Sequence, residues 1–274
     1  MTRPPWKFMA VNGTLALLAL LTAFPLLWMI SASLMPAGEA MTLPARLVPS
    51  QPTLEHYETL FTRLHIGRTL LNTLFLASSV TAVSLLCNSM AGYAFAKLRF
   101  RGRRRLFALL LATLIVPPQV TVLPLFLEIR ALGLVNSYGG ILVAGIATVF
   151  GIFLIRQFAQ GIPDELLDAA RLDGASELRI YFTVVLPLLR PILVTLGVFT
   201  FLTSWNDFMW PLIVLTDESK YTLPVALANL SGEHVQDTEL MMAGAVVTVL
   251  PGLLLFLALQ RQYIEGITMG SVKE

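Results

Sequence analysis

Residues 162–191 read IPDELLDAARLDGASELRIYFTVVLPLLRP. This long polar stretch lies between apolar runs and carries helical spacing, start and stop signals, and both charge signs. Pro163 suits the first position of a helix, where a missing N–H costs nothing. Asp164 and Glu165 follow it and sit well against the positive end of the helix dipole. Leu166, Ala169, Ala170 and Asp173 recur at helical spacing, which puts two small alanines on one face. Gly174 is the residue a helix uses to leave in the left-handed conformation. A second helical pattern starts at Ala175 or Ser176 and runs towards Leu186-Pro187. The expectation is a helix, a glycine turn and a helix lying outside lipid.

The flanking sequence is what makes that polarity informative. Only 13% of the 274 residues are charged and the mean hydropathy is +0.74, whereas a soluble domain is about a quarter charged. The chain is therefore read as an integral membrane protein. A net charge of +2 is too small to imply nucleic-acid binding. Cys87 is the single cysteine, so no disulfide can form within the chain.

Six apolar runs are long enough to cross a bilayer. They are residues 11–34, 70–96, 106–127, 139–158, 188–215 and 240–259. A signal peptide would have a shorter apolar core and a small-residue cleavage site; the first run is long enough to span and is followed by five more, so it is read as a retained helix. The fold class expected is all-α, with six transmembrane helices and the polar helical element between the fourth and fifth. One transmembrane domain is expected over 1–274, its core about 69–262 following the N-terminal helix 11–34. Residues 35–68 read as a polar, proline-bearing loop containing His56 and His65, with no clustered second ligand for a metal. Ser78, Ser79, Ser84, Asn88 and Ser89 in the second run are small or polar residues of the kind that let membrane helices pack closely.

Positive residues set the orientation. With both termini inside, the inner segments hold Arg3, Lys7, the six cations of 97–105, Arg156, Arg171, Arg179, Arg190, Arg261 and Lys273, which is 14 of the 19. The bias puts the stretch 162–187 in the cytoplasm. The basic run 97–105 could suggest nucleic acid, but between two spans it reads as a topology signal.

The polar stretch resembles the cytoplasmic coupling loop of ABC-importer permeases. That family's signature is Glu-Ala-Ala, three residues, Gly, nine residues, then Ile-x-Leu-Pro. Here Asp168, Ala169, Ala170, Gly174, Val184, Leu186 and Pro187 fall at that spacing, with Asp168 in place of Glu and Val184 in place of Ile. Residues 88–96 (NSMAGYAFA), the Pro117-Pro118 break, residues 204–208 (SWNDF) and residues 262–266 (QYIEG) look like the carbohydrate-uptake permeases, of the type found in maltose and glycerol-phosphate importers. The resemblance implies a bacterial inner-membrane subunit that works with a second, non-identical permease, an ABC ATPase dimer and an extracytoplasmic solute-binding protein. It also assigns ATPase coupling to Asp168, Ala169, Ala170, Asp173, Gly174, Leu186 and Pro187. The sequence has no glycine-rich Gly-Lys-Ser/Thr loop, so ATP is expected to be used by the partner, with no cofactor in this chain. No Ser/His/Asp or HExxH arrangement suggests an enzyme. Other readings are a permease for another polar solute, a non-transport membrane subunit, or an amphipathic loop resting on the surface.

Two further features are candidates for a transport path. Pro117 and Pro118 interrupt the third run, freeing carbonyls that need partners in protein or in a water-filled cavity; a structural kink is an equal alternative. In the fifth run, Trp205 lies about 21 Å along the helix from Pro191 at 1.5 Å per residue. Thr200, Thr203 and Asp207 share helical spacing there. A carboxylate at that depth is costly unless it faces protein or water, so Thr203, Asn206 and Asp207 are pathway candidates. Trp205 and Trp210 read equally well as interfacial anchors and Asn206 as a bond to a neighbouring helix.

Overall fold

The computed structural model describes residues 5–44, 46–233 and 237–269. Arg3 and Lys273, counted above among the inner charges, lie outside them. The described residues contain helices and no strand. In chain order the helices are α1 (Pro5–Ala32), α2 (Glu55–Thr62), α3 (Ile66–Lys97), α4 (Arg103–Ala112), α5 (Pro118–Ala131), α6 (Tyr138–Gly145) and α7 (Val149–Ala159). There follow α8 (Asp164–Leu172), α9 (Glu177–Ile180), α10 (Leu186–Leu188), α11 (Arg190–Trp205), α12 (Met209–Val214), α13 (Leu223–Glu233) and α14 (Thr238–Met269).

Three segments are long and apolar enough to cross a membrane: Val11–Ala32, Ile66–Lys97 and Thr238–Gln260. Three bent pairs also pass if each is one span, giving up to six. Residues 103–115 and 118–131 meet at 108°, α6 and α7 at 43°, and residues 177–188 and 190–205 at 79°. The first bend has a direct cause in the sequence. Pro117 and Pro118 have no N–H to offer the preceding turn, and Pro118 starts the next helix, where that loss is harmless.

Several boundaries differ from the sequence expectation. Residues 35–68 contain α2, and residues 216–238, between the fifth and sixth apolar runs, contain α13. The run 188–215 is not one helix: α11 ends at Trp205 and α12 begins at Met209. The side chains at the break explain it. Asn206 Nδ2 bonds back to the Leu202 carbonyl at 2.7 Å. Asp207 Oδ1 accepts the Trp210 N–H at 3.3 Å, so this carboxylate helps start the next helix.

Two compact units divide the chain, Met1–Arg68 with Ala226–Pro251, and Thr69–Val225 with Gly252–Glu274. The first is tied by polar contacts to buried groups. His56 Nε2 bonds the Met35 carbonyl at 2.9 Å, Ser33 Oγ meets Tyr57 OH at 2.8 Å, and Glu239 Oε1 accepts the Ala40 N–H at 2.7 Å. Glu39 accepts from Arg46 at 3.0 Å and from the Ser50 N–H at 3.1 Å. The second unit has its main apolar core where α3, α7, α8 and the segment 180–196 meet, around Tyr93, Ile155, Leu167, Ile180, Tyr181 and Leu196. Gly92 permits this closeness, because a Cβ there would lie 2.6 Å from Ile155 Cγ2.

Candidate functional site

The polar stretch folds as a helix, a left-handed glycine and a second helix, as its pattern predicts. Asp164 and Glu165 occupy the first turn of α8 and Arg171 its last, matching the dipole at both ends. Gly174 has φ +79°, and the Ala175 N–H returns to the Ala170 carbonyl at 3.0 Å. Ser176 then caps α9 by accepting the Arg179 N–H. The residue anchoring α8 is Leu167, 1% exposed, and not Leu166, which is 47% exposed. Of the two alanines, Ala170 packs on the core and Ala169 faces outwards. Asp168 and Asp173 are exposed as well. The result is a short helix with an apolar underside and an acidic, small-residue upper face.

Polar contacts fasten this element to the end of α3. Lys97 Nζ donates to the Ile162 carbonyl at 2.6 Å and to Asp164 Oδ1 at 2.7 Å. Tyr93 OH donates to Glu177 Oε2 at 2.9 Å. Arg171 spans the turn, reaching Glu177 Oε1 and Asp168 Oδ1 at 2.7 Å each. Ser89 Oγ meets Tyr181 OH at 2.6 Å. Ser89, Tyr93 and Lys97 thus use one face of α3, at i, i+4 and i+8.

The charges bear on pH. The Lys97 hydrogen bond and its positive charge hold the Asp164 carboxyl below its ordinary 3.8. Glu177 and then Asp168 hold the Arg171 guanidinium above its ordinary value. A lowered carboxyl value contributes stability above the unfolded value and loses it as pH falls through the folded one. Attachment of α8 through Asp164 is therefore expected to be constant from neutrality down to about pH 4 and to weaken only below it. Protease nicking of residues 160–176 against pH measures this. Lys97→Met should raise nicking at neutral pH and remove the acid-dependent rise.

The second feature is a cavity of about 610 Å³, within the range of small-molecule sites. It adjoins the breaks of two bent pairs and the end of α11. Pro118, Thr121, Thr148, Phe199, Thr203 and Asp207 are among its lining. Irregular backbone at membrane depth is tolerated where it borders protein or a wet cavity, and both prolyl and Thr148 breaks border this one. Thr200 and Ser204 line it too, so Thr200, Thr203 and Asp207 do share one side despite the end of the helix before Asp207. Asn206 and Pro117 do not line it. Trp205 is 1% exposed and stacks with Phe201, which removes the interfacial-anchor reading for that residue. Trp210 lines the cavity and its Nε1 reaches the Gly140 carbonyl at 3.3 Å.

Asn88 lies behind the cavity-lining Thr148, and sequence reading gave it only a packing role. It is fully buried; its Oδ1 accepts the Thr148 N–H at 2.9 Å and its Nδ2 reaches Ser84 Oγ at 2.9 Å. Thr148 in turn caps α7 through the Gly151 N–H. The signal was available: an asparagine in an apolar run, and a threonine three residues before a glycine inside another. Ser84 and Ser89 are buried as expected, while Ser78 is exposed.

Residues 88–267, well over half of the chain, match the family described as binding-protein-dependent transport system inner membrane component. The chain belongs to that family. The match spans Asn88, the polar helical element and every cavity-lining residue but Val80. This inner membrane component is 39% identical over 261 residues to the arabinooligosaccharides transport system permease protein of Halalkalibacterium halodurans, covering 94% of each chain. It is 32% identical to the lactose transport system permease protein of Rhizobium radiobacter, covering 95% of this chain and 94% of the other. Its fold is similar to a solved bacterial ABC transporter involved in import of the acidic polysaccharide alginate. The TM-score there is 0.83 at 25% identity, over 95% of this chain and 98% of that one. The protein is thus a multi-pass membrane component of a transport system.

Proposed function

We propose that this chain is one permease subunit of an importer for a sugar or sugar derivative, driven through residues 162–187 by a partner ABC ATPase dimer. A second, non-identical permease completes the pathway, and an extracytoplasmic binding protein delivers the solute. The family description names dependence on a binding protein, and relatives named for arabinooligosaccharides and lactose support a sugar. Six spans with both termini in the cytoplasm of a bacterial inner membrane fit the charge bias. The carrying observation is the exposed α8–Gly174–α9 element bonded to α3 at Tyr93 and Lys97. A short helix seated in a partner's groove is an established recognition mode. Force applied there passes to α3 through the polar contacts and to α11 through the shared core. Asp168, Ala169 and Asp173 are the proposed docking face, with Ala170 and Gly174 shaping it and Leu186-Pro187 leading into α11.

The cavity is the proposed path, its largely aliphatic wall interrupted by hydroxyls of Thr148, Thr200, Thr203 and Ser204, the Asp207 carboxylate and the rings of Phe150, Phe199 and Trp210. The complex reconstituted with its ATPase and binding protein should hydrolyse ATP faster when solute is added. Solute-independent hydrolysis would remove the importer reading. Within a Cys87→Ser background, cysteines at Thr200, Thr203 and Asp207 should react with a small polar thiol reagent at rates that change with an ATP analogue. A cysteine at Asn206 should react at a state-independent rate. Unreactive cysteines at 203 and 207 in every state would take the cavity out of the pathway.

A further inference from the structure

A second cavity, of about 640 Å³, borders a different face of α11 from the first, between α3, α10–α11 and the later part of α14. Its walls include Leu85, Leu186, Leu193, Phe201 and Leu255. Thr81 also borders it, but its hydroxyl is taken by the Ala77 carbonyl at 2.6 Å. Gly197 gives the groove depth, since a Cβ there would come within 3.2 Å of Leu85 Cδ1. The lining's one charged residue is Arg190, at the break between α10 and α11. Its guanidinium has no hydrogen bond or ion pair among the described residues.

The dimensions and the charge point to one occupant. From Arg190 to Phe201 the groove follows α11 for about 16 Å at 1.5 Å per residue. That is roughly half the ~30 Å hydrocarbon core of a bilayer, the depth of one leaflet. An apolar trough one leaflet deep, ending in an unpaired cation where the helix breaks, matches an acyl chain with an anionic headgroup. We infer that this groove seats one anionic phospholipid, an acyl chain lying along α11 and the phosphate on Arg190. A guanidinium offers a forked donor set that fits phosphate oxygens, and basic pockets between membrane helices recognise acidic lipids in this way. The inference rests on the chain spanning a membrane and is independent of the solute carried.

The test uses the assembled complex in lipid nanodiscs with photoactivatable phosphatidylglycerol or phosphatidylcholine, the reactive group placed in the acyl chain. Phosphatidylglycerol should label residues 186–201 several-fold more than phosphatidylcholine. Arg190→Gln should bring the two to equal labelling, and Arg190→Lys should keep most of the preference. Val194→Trp, which fills the trough, should suppress labelling by both lipids while membrane-inserted protein stays at the normal amount. Equal labelling of the unaltered protein by the two lipids would overturn the inference. So would an Arg190→Gln variant with an unchanged ratio, or a cysteine at Leu193 that crosslinks to a second permease chain in place of lipid.

Discussion

Gly174→Val is expected to abolish transport, by more than tenfold, while leaving membrane insertion intact. A Cβ at Gly174 meets no atom within 4 Å, so the substitution adds no clash. What it adds is backbone strain at φ +79°, a region β-branched residues avoid, at about 1–3 kcal/mol. The turn can relieve that strain by leaving the left-handed conformation, which breaks the Ala175 N–H to Ala170 bond and redirects α9. Gly174→Asn separates conformation from chemistry, because asparagine tolerates the left-handed region. It should keep most of the transport. Asp168→Lys should also transport poorly, since it reverses the charge on the proposed docking face and loses the 2.7 Å pair with Arg171. Transport assays on vesicles with matched permease content read all three. Normal transport by the valine variant would remove the coupling role from this turn.

Gly92→Ala is the second large effect, and it acts through packing. An added Cβ would lie 2.6 and 2.7 Å from Ile155 Cγ2 and Cβ, and 3.0 Å from the Arg156 backbone nitrogen. The Ile155 Cβ and Arg156 backbone contacts cannot be relieved by swinging a flexible side-chain tip, so α3 and α7 have to part. Overpacking of this kind costs about 1–3 kcal/mol. The displaced stretch of α3 carries Ser89, Tyr93 and Lys97, so the attachments of the coupling element move with it. The variant should show an apparent melting temperature lowered by several degrees and weak ATPase association. Gly13→Ala, where a Cβ meets nothing within 4 Å, is the matched control and should behave as the unaltered protein.

Local signals with a physical mechanism were readable from the chain. Asp164, Gly174 and Ser176 each act at the position their chemistry requires, Pro163 falls one residue before the helix it was read to begin, and Pro117-Pro118 breaks its helix where written. The boundaries that were not readable depend on tertiary partners. The bend at 146–148 has no proline; it exists because Asn88, sixty residues earlier, takes the Thr148 N–H. The stop after Trp205 likewise needs Asn206 and Asp207 to turn on their own backbone, which an apolar run of hydropathy averages away. α2 and α13 were missed because helices of 8 and 11 residues are marginal on their own and depend on burial of side chains such as Leu60, Leu223 and Val225. In the cavity, spacing put Thr200, Thr203 and Asp207 together correctly. It could not separate Asp207 from Asn206, adjacent residues that point different ways once the helix ends.

Between α9 and α10 the chain makes a π-helical turn, Tyr181–Val185, with the Leu186 N–H donating to the Tyr181 carbonyl five residues back. Such a turn accommodates one residue more than an α-turn, and one residue in an α-helix is worth about 100° of azimuth. The azimuths of α9 and of the helix leading into α11 are therefore offset by about a quarter revolution from those of a continuous rod. Tyr181 and Val185, an i, i+4 pair, are buried while Phe182 projects outwards. The offset sets the kinematics of the junction. Under the proposed coupling, load applied at α9 reaches the 79° bend before α11 through a turn that holds a spare residue, and winding that residue out would rotate α10 against α9.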